Sequence, residues 1–396
     1  MKKALFLFLS KMDFGGQERF ASHLSEMLQN EYEVYFVLFD AETINYKIYG
    51  HVLDIKQGGL SKNPIKKTLE ETKRWITLRK YFRKYKPIAC ISFGDGPNLL
   101  NLMAKMKGII VIPSIRGFAT AERIVSHRLD RVLYKRADKI LCVSEGIKKK
   151  LNSDLPYLSD KLEVVYNAYD CDQIVCESRE GEWESVNEDG GYRLVSVGTL
   201  RPEKGYWHLI KAVSILREKY PSIKLLIVGM DYADNGKKLM ELVRLLHLED
   251  NVCFEGWHQN PYVFLAMADV YVLSSVREGF PNALVEAMVC GKPVIADDCL
   301  TGPREILSPS KLEGEIEEIT KADYGILTPR LDVQEDYTNN IFEEEVVLAN
   351  AIDMVLSDDS ISEEYSKRSL IRAKEFSYSA CKDKIKSILE NAGEAR

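Results

Sequence analysis

Two glutamates stand on either side of a predicted helix start in the segment REGFPNALVEAM. Pro281 suits the first turn of a helix, because the N–H that proline lacks would have no partner there. Glu278 is therefore expected just outside the helix and Glu286 within its second turn. Glu286 shares a helical face with Asn282 and Ala283, which would leave room for a ligand. The spacing predicts that one carboxylate faces the part of a ligand above the helix start and the other faces a hydroxyl pair beside it.

A loop further upstream carries positive charge. In VSVGTLRPEKG, an apolar strand is predicted to end at Gly198, and a helix is predicted to begin near Tyr206. Arg201 and Lys204 lie between them. The forked donors of an Arg and the point charge of a Lys, held over a strand end, suit a diphosphate. Two solvated loop cations are the alternative interpretation.

Backbone N–H groups at two helix starts would add to such an anion site. Gly279 and Phe280 precede the helix that carries the second glutamate, and Gly15-Gly16 precede the first helix of the chain. A helix N-terminus exposes N–H donors at the positive end of its dipole. A dinucleotide fingerprint would need a third glycine where the chain has Arg19, so NAD is disfavoured. For the early glycines, a turn that serves only packing is an equal alternative.

These loops follow short apolar strands that alternate with amphipathic helices. This alternation is typical of parallel sheets with helices on both faces, an α/β fold. In such sheets, ligands bind outside the carboxyl ends of the strands. The predicted strands are 4–9, 32–39, 88–93, 109–114, 139–144 and 162–167, followed by 193–198, 223–229, 251–256, 269–275, 293–296 and 324–327.

An acidic segment divides the strands into two doubly wound units. Residues 176–191, CESREGEWESVNEDGG, have few aliphatic side chains and end in two glycines, as a linker or surface loop does. We therefore expect a first domain over 1–175 and a second over 192–377. The section from roughly 340 to 391 is predicted to be helical.

Charge is distributed unevenly between the two halves. Residues 1–150 contain 28 Lys and Arg against 15 Asp and Glu, although the whole chain has a net charge of -6. Ten of these cations lie within 60–87, where Trp75, Leu78 and Phe82 recur at helical spacing. This basic helix is either the solvated face of a core helix or an attachment site for an anionic membrane or a phosphate-bearing acceptor. No nucleic-acid motif accompanies the charge, so nucleic acid is disfavoured.

Composition disfavours several other classes. The eight cysteines are scattered without a CxxC pair, which argues against a zinc site or a disulfide framework and favours a reducing cytoplasm. No apolar run approaches the roughly 18 residues of a membrane span. The opening MKKALFLFLSKM lacks a cleavage site and is predicted to be a buried strand. Asp170 and Asp172 match a metal-binding DxD spacing only weakly, so no metal is expected.

With these motifs in place, the chain resembles the GT-B glycosyltransferases of family 4 over nearly its whole length. The motifs follow the family's order: GGQERF, ADKILCVSEG, VVYNAYD, VSVGTLRPEKG, EGFPNALVEAM and GPREIL. The resemblance implies two Rossmann-like domains that face a cleft, the first for the acceptor and the second for the donor. It also implies that the C-terminal helix (378–396) crosses back to pack on the first domain.

The resemblance further implies a retaining transfer of a sugar from a nucleotide diphosphate donor to an acceptor hydroxyl, without a metal or another cofactor. Arg201 and Lys204 would clamp the diphosphate, Glu286 would bind the ribose, and Glu278 would lie near the donor sugar. The full donor-binding set expected on this basis is Gly15, Gly16, Gly198, Gly279, Phe280, Pro281, Asn282, Ala283 and Glu286.

One position departs from the family pattern. Many members have a His at the end of the fourth strand of the first domain, whereas this chain has Arg116 in VIPSIRGF. Some polysaccharide-building members carry a Ser-x-Arg there, so Arg116 is a catalytic candidate that would contact a phosphate of the donor or acceptor. The GPREIL motif resembles members that use UDP-linked Gal, GalNAc or GlcNAc in capsule or O-antigen assembly. Their acceptors are often undecaprenyl-diphosphate-linked sugars, which implies a cytoplasmic enzyme held on the inner membrane face.

Two alternatives share this scaffold. A non-hydrolysing UDP-N-acetylhexosamine 2-epimerase would need acid/base carboxylates and histidines in the first domain, where suitable candidates are few. An inactive nucleotide-sugar-binding protein would not need all four of Arg201, Lys204, Glu278 and Glu286. We therefore predict a transferase that uses a UDP-sugar and a glycan or lipid-linked oligosaccharide acceptor.

Overall fold

The structure is a computed structural model that describes the chain except for residues 1, 14, 58, 60–62, 181–190, 233, 300, 310–313 and 395–396. The chain forms two compact units: Met1–Ala168 together with Tyr378–Arg396, and Tyr169–Ser377. The chain thus enters the second unit before the boundary expected at 175. Most of the predicted linker at 176–191 lies outside the described residues.

The first unit is built on a parallel sheet of seven strands in the order β3-β2-β1-β4-β5-β6-β7. The edge strand β3 was not predicted, because its four residues are partly or fully exposed and form no apolar run. The strands are Lys3–Leu9 (β1), Tyr32–Leu38 (β2), His51–Asp54 (β3), Ala89–Phe93 (β4), Ile110–Ile115 (β5), Ile140–Cys142 (β6) and Leu162–Val164 (β7).

Helices cover both faces of this sheet, which explains why its central strands are apolar throughout. Along β1, Leu5 and Leu7 point into one core, and Phe6 and Phe8 point into the other. The helices of this unit are Gly16–Leu28 (α1), Pro64–Tyr85 (α2), Asp95–Ala104 (α3), Phe118–Ser126 (α4), Arg128–Tyr134 (α5), Glu145–Asp154 (α6) and the C-terminal helix Tyr378–Glu394, which is named α15 below.

Two of these helices test expectations from the sequence. The C-terminal helix α15 packs on α1, and its Ile385 and Leu389 lie in the first unit's core, as the resemblance implied. In α2, Leu78 and Phe82 are buried beside Phe6. The apolar stripe of the basic helix therefore faces the protein core. Most of its described cations lie on the outer face, whereas Arg74 is buried and donates from Nε to the carbonyl oxygen of Gln57 at 3.0 Å.

The second unit contains another seven-stranded sheet, in the order β10-β9-β8-β11-β12-β14-β13. Only the short edge strand β13 is antiparallel, and it was not predicted. The strands are Arg193–Val197 (β8), Lys224–Val228 (β9), Val252–Gly256 (β10), Val270–Leu273 (β11), Val294–Asp297 (β12), Thr320–Lys321 (β13) and Ile326–Thr328 (β14).

Helices also line both faces of the second sheet. The helical section predicted over roughly 340–391 is divided into three α-helices, of which the first two lie in this unit and the third is α15 of the first unit. The helices are Cys171–Glu177 (α7), Tyr206–Leu216 (α8), Asn235–Leu245 (α9), Tyr262–Met267 (α10), Asn282–Val289 (α11), Pro303–Leu307 (α12), Glu343–Leu356 (α13) and Asp359–Ala373 (α14). In the described part of the chain, no helix is long and apolar enough to cross a membrane.

The order of the second sheet determines where its loops meet. Strands β8 and β11 are neighbours at the centre, and the chain leaves them toward opposite edges. Such a reversal is a topological switch point, where the loops after the two strands separate and leave a crevice. The Arg201 loop follows β8, and the Glu278 loop follows β11. The fold therefore brings the two predicted motifs to one place.

A buried ion pair holds α8 in the second unit. Lys211 has no exposed surface, and its Nζ donates a 2.8 Å hydrogen bond to Asp336 Oδ2. Burial would raise the pKa of Asp336, but the hydrogen bonds from Lys211 and Thr338 outweigh it and lower that pKa to about 2. The loop before α13 is thus fastened to α8 by charge as well as by packing.

Candidate functional site

The loop after β8 is shaped by Gly205. Its φ of 58° lies in the left-handed region, and a Cβ at this position would lie 2.2 Å from the carbonyl oxygen of Ser274. Only glycine permits both the conformation and the contact. Ser274 in turn donates from Oγ to the carbonyl oxygen of Lys204 at 3.0 Å. These contacts fasten the Arg201–Lys204 loop to the end of β11.

Gly198 makes room for the Lys204 side chain. A Cβ on Gly198 would lie 2.9 Å from Lys204 Cε and 3.0 Å from the hydroxyl of Tyr206. That hydroxyl donates a 3.0 Å hydrogen bond to the carbonyl oxygen of Gly198. Burial raises the pKa of Tyr206, so its phenol stays neutral and remains a donor. The glycine thus lets Lys204 lie across the end of β8.

Lys204 reaches the first of the two predicted glutamates. Its Nζ lies 2.6 Å from Oε1 of Glu278, and the two side chains retain 24% and 11% exposure. The backbone supports this contact, because Val276 N donates to the carbonyl oxygen of Glu203 at 2.9 Å. The hydroxyl of Thr301 also donates to the carbonyl oxygen of Glu278. Residues that follow β8, β11 and β12 therefore hold the ion pair in place.

Arg201 is placed differently from Lys204. Its side chain is exposed, and its guanidinium carbon lies 4.0 Å from the centre of the Tyr232 ring. A cation over an aromatic face is attracted by the ring quadrupole, and the planar guanidinium also stacks on the ring. Tyr232 follows β9, so the stack fixes Arg201 near the next strand end.

The helix between the two glutamates forms as expected, with one difference. It begins at Asn282, and Pro281 is its N-cap rather than its first residue. Gly291 follows the helix end with a φ of 69°. Asn282 accepts a 2.6 Å hydrogen bond from the Tyr169 hydroxyl, which ties the first turn to the start of the second unit.

Glu286 lies deeper than the sequence suggested. Its exposure is only 2%, whereas Asn282 and Ala283 beside it are partly exposed. Burial raises the pKa of Cys290 to about 12, and the nearby Glu286 charge adds to that shift. Burial also raises the pKa of Tyr271 on β11, and Tyr206, Glu278 and Glu286 raise it further. The two glutamates are thus both close enough to influence one phenol at the centre of the sheet.

Gly279, Phe280 and the side chain of Glu278 line the approach to this helix. Phe280 is buried, with its ring centre 5.6 Å from that of Phe376 in an edge-on contact. Its predicted contribution is its backbone N–H, and its side chain serves packing. Gly279 remains partly exposed.

Three predicted residues, Gly15, Gly16 and Arg116, belong to the first unit. Gly15 is the N-cap of α1, and a Cβ there would lie 2.2 Å from a carboxylate oxygen of Glu18. Glu18 accepts a 2.8 Å hydrogen bond from Gln17 Nε2. Burial raises the pKa of Glu18, and this effect exceeds the opposing effect of Gln17. Gly16, the first residue of α1, is exposed.

Arg116 follows β5 and is held by its own unit. Its guanidinium donates to the carbonyl oxygen of Val165 at 3.1 Å and to Oδ1 of Asn167. The guanidinium carbon also lies 3.9 Å from the ring centre of Phe20 on α1. Arg116 therefore lies beside the helix that Gly15 caps. Its side chain is partly exposed.

One group of side chains meets the distance requirement for a metal within the described ranges. The ligand atoms of His208, Glu344 and Glu345 lie within 4.8 Å of one another. The two ring nitrogens of His208 face Oε1 of Glu345 at 2.6 Å and the carbonyl oxygen of Asp332 at 2.9 Å. Each ring nitrogen of His208 thus already has a hydrogen-bond partner within the protein. Glu345 Oε2 also accepts from Phe342 N at 2.6 Å, so this group caps the start of α13. Asp170 of the weak DxD motif instead caps α7 by accepting from Gln173 N.

Several supporting residues escaped prediction. Ser274, Thr301, Tyr232 and Glu18 each contact a predicted residue, yet each is a common polar residue without a motif of its own. The Ser274-Ser275 pair at the end of an apolar strand was the most useful sequence signal, because it marks a strand terminus at the switch point. The contacts of Thr301, Tyr232 and Glu18 are visible only in the folded structure.

Comparison with known proteins identifies the family of this chain. Residues 14–173 match the family described as Glycosyltransferase Family 4, and residues 178–323 match Glycosyl transferases group 1. An uncharacterized glycosyltransferase of Methanocaldococcus jannaschii is 33% identical over 338 residues, which cover 80% of this chain and 82% of the relative.

Two further comparisons extend over almost the whole chain. The Campylobacter jejuni N-acetylgalactosamine-N,N'-diacetylbacillosaminyl-diphospho-undecaprenol 4-alpha-N-acetylgalactosaminyltransferase is 28% identical, over 96% of both chains. The crystal structure of Anabaena HepE in complex with UDP superposes with a TM-score of 0.76 at 19% identity, and covers 98% of this chain and all of HepE. Together, the two matched families and the archaeal relative establish that this chain belongs to the group 1, family 4 glycosyltransferases of the GT-B fold.

Proposed function

We propose that this glycosyltransferase moves a hexose or an N-acetylhexosamine from a UDP-sugar to a lipid-diphosphate-linked glycan in the synthesis of a cell-surface polysaccharide, with retention of the anomeric configuration. The observation that carries this proposal is the Lys204–Glu278 pair at the switch point of the second unit, 2.6 Å apart. It places a cation and a carboxylate side by side, directly before the N-terminus of α11.

This pair suits a sugar diphosphate donor. Lys204 has three N–H donors, of which Glu278 uses one, so the remaining two can bind diphosphate oxygens. Arg201, fixed on Tyr232, supplies a second cation at the next strand end. Negative charge grows on the departing diphosphate as the glycosidic bond breaks, and preorganised cations lower that barrier. Glu278 would then hold the hydroxyls of the donor sugar.

Two further observations support UDP as the donor nucleotide and Glu286 as the residue that binds its ribose. Glu286 lies one helical turn beyond Asn282, the first residue of α11. Its carboxylate would accept hydrogen bonds from the ribose hydroxyls. UDP is the nucleotide bound in the HepE structure, and the second unit here has the corresponding fold. Lys204, Arg201 and the helix N-terminus supply the positive charge that a metal supplies elsewhere, so we propose that transfer needs no metal.

The acceptor is proposed from the first unit and one relative. The Campylobacter jejuni relative acts, by its name, on a diphospho-undecaprenol-linked sugar. The first unit presents exposed cations on α2, among them Lys80, Arg83 and Lys84. These cations would hold the enzyme at the anionic inner face of the cytoplasmic membrane. Arg116 is the proposed contact for a phosphate of the donor or acceptor.

One incubation tests the proposal against its alternatives. The purified chain is mixed with a panel of UDP-sugars and an undecaprenyl-diphosphate-linked sugar, with and without EDTA. We expect a lengthened lipid-linked product whose new anomeric centre, read by NMR, has the configuration of the donor. Epimerisation at C2 without transfer would instead identify a 2-epimerase, and binding without turnover an inactive sugar-nucleotide protein. Loss of transfer in EDTA would contradict the metal-free mechanism.

A further inference from the structure

A cavity of about 440 Å³ lies in the first unit, between α2 on one side and α3 and α5 on the other. Its walls are mainly apolar and include Trp75, Leu99, Leu100, Met103, Leu129 and Leu133. This volume is in the range of small-molecule sites, which are concave and predominantly apolar. The catalytic groups considered above do not line it.

Exposed apolar side chains extend from this cavity onto the surface. Met103 and Leu129 in its wall are 47% and 66% exposed. On α2, Ile65 and Leu69 are 74% and 57% exposed, and they follow the same helical stripe as Thr72, which lines the cavity. Several exposed apolar side chains beside an apolar cavity are typical of a binding surface.

The rim of the cavity is positively charged. One carboxylate, that of Glu71, and one guanidinium, that of Arg74, line the cavity. Exposed Lys67 and Arg128 directly precede the lining residues Thr68 and Leu129, so cations outnumber carboxylates at the rim. An apolar interior with a cationic rim matches a molecule that has a hydrocarbon tail and an anionic head. This combination is expected of a lipid phosphate and not of an uncharged apolar ligand.

The position of the cavity favours one lipid. Its lining includes Phe39, which directly follows β2, and Gly96, which lies in the first turn of α3 after β4. The cavity therefore reaches the carboxyl-end edge of the sheet, where α/β units bind their substrates. A bilayer lipid that only anchors the protein would not need to reach this edge.

We propose that this cavity binds the hydrocarbon tail of the acceptor lipid and that its basic rim binds the attached phosphates. The proposal rests on the proposed function, because it names the site of that function's acceptor. It assigns acceptor affinity to a defined pocket in the protein, in addition to the general attraction of α2 for an anionic surface.

A binding titration tests the proposal without requiring turnover. Farnesyl diphosphate is added to the full chain in saturating UDP, which occupies the proposed donor site, and the fluorescence of Trp75 is followed. The Trp75 indole lies in the cavity wall and donates to the carbonyl oxygen of Met103 at 3.3 Å. We expect farnesyl diphosphate to bind at least about 10-fold more tightly than inorganic diphosphate, because the tail buries apolar surface. The fluorescence change should be absent in Trp75→Phe.

A matched pair of variants locates the site. Leu129→Glu places a charge in the cavity wall, whereas Val132→Glu places the same charge on α5 outside the lining residues, at a position that is 54% exposed. Only Leu129→Glu should abolish the preference for the farnesyl chain, while both variants keep the wild-type melting temperature. Equal affinities for farnesyl diphosphate and inorganic diphosphate in the wild type, or equal effects of the two variants, would overturn the proposal.

Two controls distinguish this proposal from binding of a bilayer lipid and from the outcome of the proposed function. Binding of anionic phospholipid vesicles should respond equally to both variants, and a loss confined to Leu129→Glu would assign the cavity to a bilayer lipid and overturn the proposal. The enzyme could transfer sugar to the lipid-linked acceptor yet bind farnesyl diphosphate no more tightly than inorganic diphosphate. That result would support the proposed function and refute lipid binding in the cavity. Farnesyl binding that is lost in Leu129→Glu would support the cavity even if no sugar is transferred.

Discussion

Lys204 and Glu278 lie 74 positions apart in the chain, yet their charged atoms are 2.6 Å apart at the switch point of the second sheet. Gly198 leaves space for the Lys204 side chain, and Ser274 holds the backbone of Lys204. Contacts within the second unit therefore hold the pair in place. In the proposed mechanism, Lys204 stabilises the departing diphosphate and Glu278 keeps the ammonium group in place.

Replacing Lys204 by Ala should lower kcat by about 10²- to 10³-fold, the usual effect of losing one preorganised charge-stabilising donor. The measurement is steady-state transfer from the UDP-sugar. Lys237→Ala is the matched control, because Lys237 forms a 3.1 Å pair with Asp234 on an exposed surface of the same unit. Near-normal turnover in Lys204→Ala would remove this residue from the site.

Replacing Glu286 by Ala should weaken UDP binding by about 10- to 100-fold, because hydrogen bonds to a charged acceptor are lost. Isothermal titration should also show that the variant no longer distinguishes UDP from 2′-deoxy-UDP, whereas the wild type prefers UDP. Glu241→Ala, an exposed acid on α9, provides the control. If Glu286→Ala still binds UDP more tightly than 2′-deoxy-UDP, another group must contact the ribose 2′-hydroxyl.

Gly205→Ala should destabilise the second unit by about 2 to 4 kcal/mol, because it combines left-handed strain with a steric clash. Gly256→Ala separates these two effects, because Gly256 has a φ of 71° but open space around its Cβ position. We therefore expect Gly256→Ala to cost only about 1 kcal/mol, measured by urea unfolding. Equal losses in the two variants would show that the contact with Ser274 is unimportant.

Asp336→Asn should destabilise the protein by about 2 kcal/mol at neutral pH, because Lys211 would stay buried without its partner's charge. The folded pKa of Asp336 is lowered to about 2. Its contribution is therefore complete above the unfolded pKa of about 3.9 and is lost as the pH falls through about 2. The difference between wild type and variant in urea unfolding should shrink on acidification through this window.

Asp353→Asn is the control for this pH dependence. Asp353 pairs with Lys219, which is 56% exposed, so solvent screens the interaction. Its substitution should cost well under half as much as that of Asp336. A pH-independent loss in Asp336→Asn would contradict the assignment of the Lys211 pair as the cause.

Neutralising Lys80, Arg83 and Lys84 to Gln should weaken binding to anionic vesicles while the fold is retained, because all three side chains lie on the outer face of α2. Wild-type binding should fall as salt is added, since screening shortens the reach of surface charge. Vesicle flotation measures both effects. An equivalent triple substitution of Lys237, Lys238 and Lys367 in the second unit should have little effect. Full binding after neutralisation of α2 would exclude membrane docking by this helix.

The sequence alone determined the fold class and singled out the residues of the candidate site. Continuous apolar strands followed by amphipathic helices permit little else than parallel sheets, because only such strands are buried on both faces. Pro281 and Gly198 marked turns beside the candidate site, since their backbone chemistry restricts local structure. Residue type and spacing also single out Arg201, Lys204, Glu278 and Glu286.

The tertiary structure decided what these residues touch. Strand order cannot be read from local sequence, and it is the adjacency of β8 and β11 that joins Lys204 to Glu278. The edge strands β3 and β13 were missed because their pairing, and not their composition, makes them strands. Burial of Leu78 and Phe82 likewise settled which face of α2 meets the core. Such long-range contacts depend on which distant segments pack together, and a one-dimensional pattern records only neighbours along the chain.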